Sequence, residues 1–455
     1  MAGFAETLAN FDEEYNLVGI LATSWDVDYA GKTITLHLRE GVKFHDGTDF
    51  NAEAVKWNLE LQAEAGLIGG AKYIESISAV DNYTVRLNLS QLSPLAVDAY
   101  LQYALMFSPT ATEKNGKEWA RTNPVGTGPF KISDFQRETF LVCDRFDGYW
   151  QPGRPYLDSI EVRVVPDPLT ASATMLAGDA DMWINQSGLP LKEASELANR
   201  GLKAATLPGR FYTLSPDSAN PGSIFADKRV REAVEYAIDK PAIAKAIGLG
   251  LAEPLTQLAP KNAIFYNPDY TGRPYDPAKA RQLLADAGYP TGFDTVLTMP
   301  SRSPERDFAT AVQGYLTEVG INTKFVVCDR AKWTATRQGK QGWDGLLTQS
   351  EVMNPGLSYI QNFTKNFQAG GRAKSTARSP EFLAIIDEIY SATDEEGIAS
   401  SGRKLIRQAA EDAMTIPYVA WPALAVTQKY VNSAYLIESP VTNYWHLESD
   451  WMEKK

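Results

Sequence analysis

Hydrophobic and polar residues alternate in three short runs within the first 165 residues. Ile34, Leu36 and Leu38 interleave with Thr33, Thr35 and His37; Tyr83, Val85, Leu87 and Leu89 with Thr84, Arg86 and Asn88; Ile160, Val162 and Val164 with Glu161 and Arg163. A period of two gives a strand one apolar face, so each run predicts a half-buried β-strand. Between the first two runs, Phe44-His-Asp-Gly-Thr sets Asp46-Gly47 in a tight turn. Asn51 then suits a helix N-cap, because its short side chain accepts from the first unpaired N–H groups, and the helix is expected to reach about Leu61. The chain up to about Asp158 therefore reads as α+β.

Farther along, the period changes to that of helices with clear start and stop signals. Asp167-Pro168 opens one, with Leu169, Ala173 and Leu176 on one face and Gly178 at its end. Asp227 caps a second that carries Val230, Ala233, Val234 and Ala237. Asp276-Pro277 opens a third, with Ala280, Leu283, Leu284 and Ala287 before Gly288, and Ser379-Pro380 opens a fourth, with Phe382, Ile385, Ile386 and Ile389. Thr295 to Met299, a helix from about Glu305 to Val319, and Ile321 to Val327 form a strand-helix-strand unit, so this part predicts an α/β fold. Gln368 to Ser379, rich in Gly, Ala, Ser and Arg, is expected to be an exposed loop. Gly126-Thr-Gly-Pro is expected to need backbone angles that glycine adopts cheaply before Pro129 fixes φ. His45, beside a turn, reads as a structurally satisfied histidine.

Charge narrows the classes of partner. The 455 residues hold 44 Lys+Arg against 56 Asp+Glu, a net charge of −12, which argues against a nucleic-acid or anionic-membrane binder. The longest apolar stretch, Leu89 to Phe107, is broken by Ser90, Gln91, Ser93, Pro94, Asp98 and Gln102, so it predicts no membrane-spanning helix. Length is that of roughly two or three domains. With 3 His and 2 Cys, neither a metal site nor a cofactor site is expected. Cys143 and Cys328 show no CxxC spacing and read as half-buried thiols. Most of the 10 Trp, 21 Tyr and 18 Phe are expected in the core, and a surplus over core needs would suit a ligand cleft walled by flat apolar rings. Met1-Ala-Gly-Phe-Ala-Glu lacks the basic and apolar regions of an export signal.

Several segments, in order, share one pattern. They are Leu21-Ala-Thr-Ser-Trp with Leu38-Arg-Glu-Gly-Val-Lys-Phe-His-Asp-Gly-Thr; Asn123-Pro-Val-Gly-Thr-Gly-Pro-Phe with Tyr149-Trp and Val165-Pro-Asp; Phe225-Ala-Asp-Lys-Arg-Val-Arg-Glu-Ala-Val; and Tyr275-Asp-Pro-Ala-Lys-Ala-Arg-Gln-Leu-Leu-Ala-Asp-Ala-Gly-Tyr. Together they resemble the family 5 extracellular solute-binding proteins, the oligopeptide- and dipeptide-binding type that serves ABC importers. The resemblance implies an α/β, two-lobed periplasmic-binding-protein (Venus flytrap) fold, class II-like, with an extra α+β subdomain. On this reading lobe I comprises residues 1–17, 159–254 and 429–455, the subdomain 18–158, and lobe II 255–428. It also implies a monomer without catalysis or cofactor that passes its ligand to a cognate ABC permease. Its expected place is the periplasm or, as a lipoprotein, the cell surface. The match begins at about Phe4, where the family has already completed its export signal and first strand, so the resemblance implies a chain that starts inside the family's pattern.

Site residues follow from the same resemblance. Peptide-binding members hold the ligand's α-amino group with an acid after a strand, in the form acidic-x-x-x-Pro. Trp343-Asp-Gly-Leu-Leu-Thr-Gln-Ser-Glu-Val-Met-Asn-Pro puts Glu351 at that anchor, with Asn354 where a second acid is frequent. Dipeptide-binding members place an arginine before a helix to grip the ligand carboxylate, and Arg302 matches it. Trp333, Trp343, Tyr418 and Trp421 fall in segments that border the family's cleft. The implied ligand is above all a short peptide. An oligosaccharide, an opine or another small organic solute is the alternative, with a ligand sensor or a two-carboxylate glycoside hydrolase behind it.

Overall fold

A computed structural model describes residues 3–453, apart from 13–16, 66, 69, 93, 103, 185–190, 260, 262, 302–304, 339–341, 353–356 and 434–446. In the first region, strands Ala22–Asp28, Thr33–Leu38, Thr84–Leu89 and Ile74–Asp81 lie side by side in that order, all antiparallel. The alternation read from the sequence places Ile34, Leu36, Leu38, Val85 and Leu87 inward, where Val55 and Leu59 of helix Ala52–Glu64 cover them. Asn51 caps that helix by accepting from the Ala54 N–H at 3.0 Å. Gly47 adopts φ 84° in the predicted turn, and its N–H donates to Phe44 O at 2.9 Å. A second antiparallel sheet joins Phe130–Gln136, Phe140–Arg145 and Ser159–Arg163.

Gly126 and Gly128 depart from expectation in their reason, since neither has a positive φ. A Cβ on Gly126 would lie 2.1 Å from Phe4 O and one on Gly128 2.1 Å from Gly3 O. These glycines let the segment around residues 3–5 lie backbone to backbone against the turn. His45 is satisfied there: Nε2 pairs with Gly128 O at 2.9 Å and the ring packs edge-on to Phe146. Cys143 and Cys328 are free, and both are buried rather than half-buried.

Helix α1 (Pro94–Gln102) explains the apolar stretch noted in the sequence. Its residues from Pro94 to Leu101 are buried throughout, because the helix is wedged between two bodies. Ala96, Val97, Ala99 and Leu101 join the core of the first region, while Leu95 joins a core formed farther along the chain. A helix apolar all round is one buried all round. Among the described residues, no helix is long and apolar enough to cross a membrane.

The main sheet is seven-stranded. Its long strands are β1 (Lys203–Pro216) and β5 (Ile416–Thr427), which pair antiparallel. The register breaks between Leu207 and Arg210. Before the break, Lys203–Leu207 pairs with 423–427, and beyond it Arg210–Leu214 pairs with 416–421. Met182–Ile184 and Glu253–Pro254 flank β5. On the other side of β1 follow β4 (Leu346–Val352), β2 (Phe293–Pro300) and β3 (Ile321–Cys328). Strand β2 runs parallel to both β3 and β4. This is the predicted strand-helix-strand unit, with α2 (Glu305–Glu318) as its crossover.

Both faces of the sheet are covered, so its strands are apolar on both sides. Leu346 faces one core, with Tyr212, Leu214, Leu297, Phe308, Tyr418 and Trp421. Leu347 faces the other, with Phe211, Trp343, Tyr359, Phe363 and Phe382. The second core is roofed by α4 (Leu357–Phe367), α5 (Pro380–Ser391) and α6 (Glu395–Glu411). The capping residues read from the sequence all cap: Asp167, Asp227, Asp276 and Ser379 accept from the N–H groups of Thr170, Arg229, Lys279 and Phe382.

The loop from Gln368 to Ser379 is not the exposed segment its composition suggests. Ala373, Ser375 and Thr376 are buried. Ser375 Oγ donates to Trp343 O at 2.9 Å and accepts from Trp343 N–H at 2.7 Å. The Arg378 guanidinium donates to the carbonyls of Phe367, Ala373 and Thr376. One half-buried cation thus supplies the hydrogen bonds that solvent would otherwise give to an irregular backbone.

Candidate functional site

Parallel strands β2, β3 and β4 all end at one edge of the sheet, at Pro300, Cys328 and Val352. Each leads into a helix: α2 from Glu305, α3 (Arg330–Gln338) and α4 from Leu357. Ligands of open α/β sheets bind outside the carboxyl ends of the strands. The helix N-termini that gather there add partial positive charge. The segments predicted to carry the site therefore meet at one edge of the sheet by topology alone.

Asp329 starts α3, its carboxylate accepting from the Lys332 N–H at 2.8 Å and its carbonyl from the Trp333 N–H at 2.9 Å. Trp333 is buried, and its indole N–H donates to Thr348 O of β4 at 3.1 Å, which ties the helix to the strand. Arg337 stands one helical turn on, so it lies on the same face. Its guanidinium is 5.5 Å from the Trp333 ring centroid and pairs with the Glu351 carboxylate through Nη2. The Arg337 side chain is 10% exposed and that of Glu351 27%. The Nε of Arg337 is buried without a hydrogen-bond partner among the described residues.

Around the pair, Phe211 is the register partner of Glu351, and its ring lies 5.4 Å from that of Tyr359. Tyr359 donates its hydroxyl to Leu258 O at 2.8 Å and stacks on Phe265 at 4.9 Å. Burial, and then the negative charge of Glu351, hold its hydroxyl well above the usual tyrosine range. The surroundings of the ion pair are thus apolar and rigid on the sheet side.

The other candidate residues divide. Trp333 is brought to Glu351. Trp343 is buried in the same core, its indole N–H donating to Ser215 O at 2.9 Å. Tyr418 and Trp421 sit in the core on the opposite face, each edge-on to Phe308 at 5.8 and 5.0 Å. The indole nitrogen of Trp421 is buried without a hydrogen-bond partner among the described residues. Arg302 and Asn354 lie outside the described residues. Arg337 was missed from the sequence. Its signal was the four-residue spacing from Trp333 on a helix opened by Asp329, a geometry that sets a cation beside whatever the tryptophan touches.

The expectation that Glu351 would await a ligand ammonium changes in one respect: its counter-charge is already in the protein. What the edge offers is a carboxylate and a guanidinium side by side, an acceptor and a donor that suit a solute bearing both charges.

Comparison with known proteins bears on the family and the fold. The family described as bacterial extracellular solute-binding proteins, family 5 Middle, matches residues 16–370. The glutathione-binding protein GsiB of Escherichia coli strain K12 is 37% identical over 347 residues, 74% of this chain and 66% of that protein. GsiB of Shigella flexneri serotype 5b is likewise 37% identical, over 348 residues. The chain thus spans just under two thirds of the length of these curated relatives. Among solved structures, the periplasmic binding protein DppA of Helicobacter pylori in complex with peptide STSA superposes with a TM-score of 0.84 at 23% identity, covering 99% of this chain and 93% of that one. NikA of Brucella suis in complex with Fe(III)-EDTA gives 0.87 at 22% identity, covering 99% and 94%. These structural likenesses show the two-lobed α/β fold.

Proposed function

The chain belongs to the bacterial extracellular solute-binding proteins of family 5, and from that membership we propose that it captures a short peptide between two lobes without turning it over and delivers it to an ABC permease. The observation that carries the ligand class is the pair of Arg337 on α3 and Glu351 at the carboxyl end of β4. A peptide is a zwitterion, and a buried cation beside a half-buried anion can read its two ends. Glutathione, the ligand named for the 37% identical relatives, has an ammonium and two carboxylates and heads the candidate set. Arg302 and Asn354, which follow β2 and β4 in the sequence, are assigned to the same site, with Trp333 beneath it.

Closure is assigned to the register break in β1 and β5. Two long strands that change partners at one level, Leu207 to Arg210 against 421 to 423, can flex there while the halves move as rigid bodies. The family setting supports a periplasmic or surface-associated location. Isothermal titration with glutathione, di- to pentapeptides, opines and oligosaccharides tests the reading. Binding of glutathione or a peptide without chemical change is the expected result. Exclusive binding of an uncharged sugar, or conversion of any bound compound, would overturn it.

A further inference from the structure

Helix α1 is where the N-terminal α+β region rests on the helices that roof the main sheet. Leu95 inserts into their core, and its carbonyl accepts from Gln361 Nε2 of α4 at 3.3 Å. Just before α1, Gln91 Nε2 donates to Tyr390 O of α5 at 2.8 Å, and the Tyr73 and Tyr390 rings approach to 6.4 Å. One turn beyond Leu95, Asp98 is buried in the same seam, and its Oδ2 has no hydrogen-bond partner among the described residues. The charge that acts on it is that of Glu395, the first residue of α6. Tyr29 and Asp394 share this neighbourhood, Tyr29 feeling the charges of Glu395, Asp98 and Asp394. The charges that act on Asp98 and Tyr29 are thus those of acids, while the cations Lys72 and Lys365 line the same seam farther along, beside Tyr73 and Tyr390.

An unpaired carboxyl in an apolar seam, opposite another acid, is tolerable while it carries a proton. We propose that Asp98 is a proton-operated latch on closure: protonated, it lets α1 seat on α4, α5 and α6, and ionised, it drives α1 away from Glu395. The proposal rests on the two-lobed closing motion assigned above. Burial first, and Glu395 second, push the seated carboxyl up to about 7. When α1 lifts away and hydrates, the group returns to the ordinary aspartate range of about 4. Seating therefore takes up a proton. The closed fraction is highest below about pH 4, falls as pH rises through the interval to about 7, and is level above it.

Small-angle X-ray scattering of the ligand-free full chain at about pH 5 and about pH 8 measures the open-to-closed ratio directly. The wild type is expected to gain about tenfold or more in that ratio at the higher pH. Asp98→Asn, an isosteric change, should stay closed at both values with less than about a twofold difference, while Glu395→Gln, at an exposed position, should shift the midpoint upward in pH. A wild type with no pH dependence, or an Asp98→Asn variant that keeps the wild-type dependence, overturns the latch. Because the scattering needs no ligand, the outcomes separate: failure of glutathione and peptides to bind would remove the ligand proposal and leave the latch standing.

Discussion

Arg337 and Glu351 lend themselves to a double-mutant cycle. Arg337→Met keeps much of the aliphatic stem, removes the guanidinium that lies over Trp333 and leaves the Glu351 carboxylate unopposed; Glu351→Gln keeps the shape and leaves the guanidinium without its counter-charge. Breaking a fully buried pair costs about 3–5 kcal/mol, and an exposed pair contributes about 0–1 kcal/mol. With side chains 10% and 27% exposed, this pair lies between, and each single change should lower unfolding free energy by about 1–3 kcal/mol. The double variant removes both the charge and the group left unpaired, so it should cost less than the sum by about 1–2 kcal/mol. Urea titration followed by circular dichroism at neutral pH measures all four corners, and unchanged slopes would show that only stability moved. Additivity within about 0.5 kcal/mol would mean that the two side chains do not interact in solution. Titration of the same variants with glutathione extends the cycle to function, each single change being expected to weaken binding by about 2–5 kcal/mol if the pair reads both ends of the ligand.

Other perturbations test the frame around the site. Glu6 is fully buried, accepts from the Tyr149 hydroxyl and the Trp150 indole N–H, and is pushed up to about 7, chiefly by burial. The folded state therefore favours its protonated form, so stability should be lost as pH rises from about 4 to about 7, by on the order of 3 kcal/mol, and thermal melts of Glu6→Gln should lose that part of the slope. Gly126→Ala drives a methyl into Phe4 O and should lower stability by about 1–3 kcal/mol, with faster amide exchange in residues 3–9; an unchanged melting temperature would count against the close approach. Arg378→Met strands the carbonyls of Phe367, Ala373 and Thr376 and should cost about 1–3 kcal/mol, with trypsin or chymotrypsin cutting newly admitted between residues 368 and 379.

Much of the fold was legible because local rules sufficed for it. The alternation around Ile34, Val85 and Ile160 needed only a sheet with one covered face, and the Asp-Pro and Ser-Pro starts needed only the unpaired N–H groups of a helix. Misreadings arose where a residue's role depends on chain far away. Gly126 looked like a turn glycine, but the constraint is the backbone of residues 3–5. Ser375 and Arg378 looked like loop residues, but their partners are Trp343 and the carbonyls their own loop turns inward.

The site divides along the same line. Glu351 could be singled out because its strand and the following proline form a linear pattern, whereas Arg337 enters through geometry: a helix start at Asp329, a tryptophan fastened to β4, and one turn of rise. The aromatic surplus misled in part, since Trp343 and Tyr418 are largely spent on holding the two faces of one sheet. That division has a physical basis. A cleft formed by strand ends needs the strands to be rigid, and the rings that make them rigid must be buried, so the residues proposed to face solute are the charged ones at the edge. The burial of α1 on every side follows the same reasoning from the other side. A helix that must rest on one body and dock on another has no polar face to spare, and so its single acid, Asp98, is the position where solvent pH can act on the docking.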